Sequence, residues 1–409
     1  MSKKIIIIIP IILGVLLLGL VGYYFLVQNN QSSPGTTSGF KGFFPFGGNS
    51  GTGETPTNVS STTTSTPALA PSGQVNFNVK LRELSVEPVS GAGIVDIKAG
   101  SIVRYIEKAT GHIFEVELFS PNKNRISNTT IPLVYDAIWG NKNASLVTRY
   151  LRDDNQTVDT YSLIIKDVST TTEHSVSGII FPNNISDVSV SNSSLFYLQQ
   201  SSISSAGFVS NFSGNSKKQI WNSPIKELLS QFVNDKTVAL TTKPAQNIPG
   251  FLYFVDTGSG QVKKILGDTL GLSTLTSPDA NQVLYIEQGN GVVMFILDVK
   301  SKISKNITPA TFPEKCVWSK KDKNVVYCAV PREYLDGGSL ISWYKGLIWF
   351  SDDIWKYDIK NNTSNIVENL SDGSGMTTDV IKPILSESEQ YIIFMNKIDN
   401  TLWSLDLTK

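Results

Sequence analysis

The sequence is 409 residues long, and its 35 Lys+Arg balance 35 Asp+Glu, so the formal net charge is zero. With no basic excess there is no electrostatic footprint for nucleic acid, and two His and two Cys leave little material for a transition-metal site. Hydrophobic residues make up an ordinary 40%, but charged residues only 17%, with Ser, Thr and Asn filling the difference.

Residues 1–4 form a short tail carrying Lys3 and Lys4, followed by an apolar run over 5–27. A run of that length spans a bilayer core of about 30 Å as a helix. The lysines precede the span and no charge follows until Lys41, so the positive-inside bias predicts a cytoplasmic N-terminus and an exported remainder. A cleaved signal peptide is disfavoured, because the run closes on Tyr23-Tyr24-Phe25-Leu26-Val27 rather than on a small-x-small site. The expected location is therefore the cytoplasmic membrane, single-pass, through an uncleaved signal anchor. Residues 28–74 are dominated by Ser, Thr, Gly, Pro and Asn and read as a disordered linker. Its one apolar interruption is Phe40-Lys41-Gly42-Phe43-Phe44-Pro45-Phe46.

From residue 75 onward, short β-branched and aromatic runs alternate with turn residues, and no long 3.6-residue period occurs. A repeat emerges: an apolar residue, two variable positions, then Asp, Glu or Asn. Its copies are Phe114–Glu117, Ile164–Asp167, Phe208–Asn211, Tyr253–Asp256, Phe295–Asp298, Trp355–Asp358 and Trp403–Asp406. The acidic or amide positions are spaced 50, 44, 45, 42, 60 and 48 apart. Blades of a propeller take about 40–45 residues each, so 75–409 is expected to be an all-β, seven-bladed β-propeller. Degeneracy in blades 2 and 3 leaves six or eight open. Blade 7 runs out of chain before its fourth strand, while Val75–Leu84 has no blade of its own. The expectation is that this run pairs with Leu402–Leu407 and closes the ring.

Upstream of the copies lie turns such as Ser277-Pro278-Asp279-Ala280-Asn281 and Ser319-Lys320-Lys321-Asp322-Lys323-Asn324. These resemble the Ser-Pro-Asp-Gly turn of TolB-like propellers, relatives of the WD-repeat blades. The chain is also similar to signal-anchored bacterial propeller proteins of unknown function. The resemblance implies architecture; propellers of this kind serve as scaffolds, binding modules and enzyme domains alike.

Asp256-Thr257-Gly258-Ser259 matches an aspartic-peptidase signature, but that chemistry needs two carboxylates and no second copy exists. It reads instead as a turn between the outer strands of blade 4. His112 and His174 have no nucleophile motif beside them and read as surface residues. Asp153-Asp154-Asn155 and Asp352-Asp353 could ligate a hard cation, but read better as solvated loop acids. No catalytic residue, cofactor or metal ligand is assigned.

The candidate binding element is an insertion in blade 6, between strands at Val325–Val330 and near Trp355. It carries Arg332, Tyr334, Trp343, Tyr344, Trp349 and Phe350. Either these aromatics form a recognition rim beside the axial mouth, or they fold down as a buried lid. Cys316 and Cys328 lie on either side of a turn centred on Asp322, which predicts opposed positions on paired strands and a possible disulfide. The functional expectation is a membrane-tethered, extracytoplasmic binding or scaffold module for an envelope protein or polymer. The alternative is a hydrolase acting on cell-wall glycans or peptides with carboxylates at the axial mouth.

Overall fold

The computed structural model describes residues 79–409, apart from 128, 153, 155 and 168–173. The expected anchor, the linker and the first part of the closing run lie outside the described residues. Among those described, no helix is long and apolar enough to cross a membrane.

Seven four-stranded antiparallel sheets follow one another along the chain, and each is one blade of a propeller. The first strands of neighbouring blades pack together around a central axis. Hydrogen bonds cross from blade to blade there: Ser90 Oγ donates to the Val134 carbonyl, Ser230 Oγ to Asp187, and Gln231 Nε2 to the Thr276 carbonyl. The repeat found in the sequence is the third strand of every blade, ending in blades 1 to 6 at the turn to the outermost strand. Its acid caps that turn. Asp256 accepts from Ser259 N and Oγ, Asp298 from Ser301 N and Oγ, and Asp358 from Asn361 N. These bonds favour the ionised form and hold all three carboxyls below their ordinary range. The Asp-Thr-Gly-Ser segment is therefore turn chemistry shared by its counterparts in other blades.

The second strands are buried on both faces, and their side chains alternate between two cores because the strand period is two. In Val325–Pro331, Val326, Cys328 and Val330 face blade 5, while Val325, Tyr327 and Ala329 face blade 7. One apolar cluster fills each of the seven gaps between blades, including the gap between blades 7 and 1. That last gap exists because the ring is closed by the start of the domain. Leu81–Ser85 pairs antiparallel with Leu402–Asp406, and completes the four-stranded sheet of blade 7. The pairing run is displaced from the expected one, ending at Ser85 rather than Leu84. Its first expected residues, 75–78, lie outside the described part.

Strand alternation also places the loops. All connections between second and third strands emerge on one face of the ring, together with those from each outer strand to the next blade. The blade 6 insertion leaves from that face.

Candidate functional site at the axial mouth

The insertion does not loop out into solvent. From Arg332 to Ser351 it crosses toward blade 5, where Asp336 bridges Gly291 and the Leu335 carbonyl accepts from Val292 N. At Gly337 the backbones come so close that an added Cβ would sit 1.9 Å from the Gly289 carbonyl oxygen, which admits only glycine. A short helix, Ser339–Tyr344, follows. Leu340 and Trp343, three residues apart, share its inner face and pack with Phe312 and Phe350 in the core between blades 5 and 6.

The candidate residues therefore divide. Trp343 and Phe350 are each 3% exposed and form the buried lid, so they are withdrawn from the recognition surface. The physical reason is that both rings sit over Phe312, and Trp343 Nε1 donates to Asp379 at 2.8 Å. Arg332 is bound in a two-pronged ion pair by Asp353, at 2.8 and 2.6 Å. Tyr344 is half-exposed, with its hydroxyl donating to Glu314. Tyr334 (80% exposed) and Trp349 (64%) face solvent, and Leu347 joins them at 67%.

Beneath the lid lies a buried ion cluster that sequence reasoning missed. Lys315 is wholly buried; its ammonium lies 2.5 Å from Asp352 and also donates to Asp379. Asp379 further accepts from Trp343 Nε1 and Phe350 N, and Asp352 from Val380 N. Burial pushes the Asp352 carboxyl up to about 6 despite the lysine, with Asp379 adding like-charge repulsion. The reading of Asp352-Asp353 as solvated loop acids is corrected accordingly: Asp352 is interior and paired, and Asp353 serves Arg332. Of the other loop-acid candidate, Asp154 caps its own turn through Gln156 N and Thr157 N, while 153 and 155 lie outside the described residues. His112 bonds Thr130 through Nε2.

Next to the lid, on the axis, a cavity of about 320 Å³ opens between blades 3 to 6, with Asp187 and Glu314 in its wall. Burial raises Asp187 to about 6 against hydrogen bonds from Ser230 and the charge of Arg149. Burial likewise raises Glu314 against hydrogen bonds from Ser273 and Tyr344. Neither carboxylate carried a signal in the sequence, since each belongs to a different blade and only ring closure brings them to one mouth.

Cys316 lies opposite Cys328 in the first strand pair of blade 6, with Cα atoms 4.0 Å apart and an S–S distance of 2.13 Å. The bridge follows Lys315 and Glu314 directly, and so braces the turn that presents both. Closing a loop of this size stabilises by about 2–3 kcal/mol. Urea unfolding with and without reductant should show a loss of about that size, absent from the double variant Cys316→Ala/Cys328→Ala.

The fold defines the chain as a seven-bladed β-propeller, the architecture that its resemblance to TolB-like repeats implies. Among solved structures it is similar to an oligogalacturonate lyase in complex with manganese, at TM-score 0.50 and 10% identity, over 79% of this chain and 98% of that one. It is similar also to an oligogalacturonate lyase from Vibrio parahaemolyticus (TM-score 0.48, 10% identity, 78% and 97% of the chains). A third is TolB from Acinetobacter baumannii (TM-score 0.41, 12% identity, 77% and 78%). At such identities the likeness is one of fold. No family model matches the sequence, and no curated protein matches it.

Proposed function

We propose that the chain is a membrane-tethered, extracytoplasmic binding or scaffold module that engages an envelope protein or polymer through the lidded face of its propeller. The observation that carries this reading is the insertion itself. It is fastened to blades 5 and 6 by Trp343, Phe350 and Gly337, yet turns Tyr334, Leu347 and Trp349 into solvent. Ile248, Met376 and Ile398 are exposed on loops of the same face. Large apolar side chains held on a rigid support suit recognition, because little conformational entropy is lost on contact. The apolar run at 5–27 and the lysines before it support the tether and its orientation.

The test is the triple variant Tyr334→Ser/Leu347→Ser/Trp349→Ser, crosslinked in its native envelope beside the unmodified protein. The expected result is an unchanged melting temperature and loss of the crosslinked species. Retention of that species at full yield would reject this surface. Protease added to intact spheroplasts should degrade the propeller, and its survival would reject the location.

A second reading, a hydrolase acting on cell-wall glycans or peptides, is supported by Asp187 and Glu314 standing in one cavity with raised pKa values. Release of soluble fragments from purified wall, abolished by Asp187→Asn, would favour it over the binding reading.

A further inference from the structure

The axial cavity has a one-sided chemistry. Asp187 and Glu314 are its only charged lining residues among those described, and both are acids. Asp187 receives both of its hydrogen bonds, from Ser230 N and Oγ, on Oδ2. Glu314 accepts from Ser273 Oγ and Tyr344 on Oε1, whereas its Oε2 is buried with no partner among the described residues.

Three of the nearby cations are held by other groups. Nη2 of Arg149 donates to the carbonyls of Ile185 and Ser186, at 3.0 and 3.4 Å, while its Nε has no partner among the described residues. Lys315 is held by Asp352 and Asp379, and Lys382 by Asp136. The hydroxyls point the same way. Ser230 and Ser273 spend their protons on the two carboxylates, and Thr241 and Thr274 share a hydrogen bond with each other. What the wall offers inward is therefore mainly acceptors, carboxylate oxygens and hydroxyl lone pairs with one Thr proton left over, beside the apolar surfaces of Leu229 and Pro313. A cavity of about 320 Å³ falls at the small end of ligand sites.

We infer that this cavity binds a primary ammonium group on a compact body, with the ammonium seated between Asp187 and Glu314. An ammonium brings three donors and no acceptor, which complements a wall rich in acceptors and short of donors. Calcium sites take six to eight oxygens, and only two carboxylates reach this one. The inference rests on the cavity and not on the exposed face, so the triple variant at 334, 347 and 349 should leave it intact.

Two sources share this chemistry, an amino sugar and a lysine side chain, and calorimetry on the full-length chain at pH 7.5 separates them. The paired probes are glucosamine against glucose, and Nα-acetyl-lysinamide against Nα-acetyl-norleucinamide. At least one amine should bind about tenfold or more tightly than its uncharged counterpart, the range for a hydrogen bond to a charged group. Asp187→Asn should remove that preference at an unchanged melting temperature. In the unmodified protein the affinity should fall as the pH is lowered from 7.5 to 5, as Asp187, raised to about 6, takes up a proton. Equal binding of amine and neutral probe, no saturable binding of either amine, or an amine affinity indifferent to pH would each overturn the inference. So would CaCl2 alone binding tightly without displacement by amine.

Discussion

A chain lacking residues 79–86 should lose its cooperative unfolding transition, whereas a chain lacking residues 30–70 should melt as the full-length protein does. The excised strand is attached on three sides. Its backbone pairs with Leu402–Asp406. Leu84, 5% exposed, belongs to the core between blades 7 and 1, and Leu81 packs on the core between blades 6 and 7. The Arg82 guanidinium donates to the Glu117 and Ser120 carbonyls of blade 1. Truncating a single buried Leu costs about 2–5 kcal/mol, and domains are stable by only about 5–15 kcal/mol in total. Removing the whole strand exposes two cores and a strand edge at once, which exceeds that margin. Leu84→Ala is the graded version and should lower the stability by about 2–4 kcal/mol in urea unfolding. Equal transitions for the two deletions would show that the ring is held shut by something other than this strand.

What could be read before the structure was whatever repeats or alternates. The third-strand motif is legible because one physical need, capping an outer turn with an acid or amide, recurs in blade after blade. Closure is legible because a missing fourth strand and a spare first strand can be counted. The opposed cysteines follow from the symmetry of a short hairpin. The insertion could be located, yet the direction of its aromatics could not. Its helix is six residues long, too short for a 3.6-residue pattern to show that Leu340 and Trp343 share one face while Leu347 and Trp349 do not. The ion cluster was hidden for a different reason. Lys315, Asp352 and Asp379 are far apart in sequence, and each alone resembles an ordinary polar residue at a strand end. Only the packing of blade 6 against blade 7 and of the insertion above them removes water from all three.

That cluster gives the second large expected effect: Lys315→Met should destabilise the protein by about 3–5 kcal/mol near pH 8, and by much less near pH 5. The substitution nearly conserves volume, so the cost is electrostatic. It strands the carboxylates of Asp352 and Asp379 in a site where Asp352 Oδ1 already lacks a partner among the described residues. Trp343 Nε1, Phe350 N and Val380 N remain to bond them, which partly offsets the lost ammonium. Lys397, whose own pKa is lowered by burial, lies over the Trp343 ring, and its ammonium makes no ion pair with either carboxylate among the described residues. The pH dependence follows from the direction of the shift. In the folded chain Asp352 titrates at about 6, above its value of about 3.9 when unfolded. Between those values the folded state holds a proton that the unfolded state has released, so stability from this group is greatest below about pH 4 and declines as the pH rises through 6. Without Lys315 the carboxyl is raised further, the window extends upward, and acid relieves the charge that the variant strands. Urea unfolding of both proteins at pH 5 and pH 8 measures the difference directly. Adding Asp352→Asn to Lys315→Met should recover part of the loss at pH 8, since it removes one of the two stranded charges while keeping an acceptor for Val380 N. A loss from Lys315→Met that is equal at the two pH values would mean that the cluster acts through packing and not through charge.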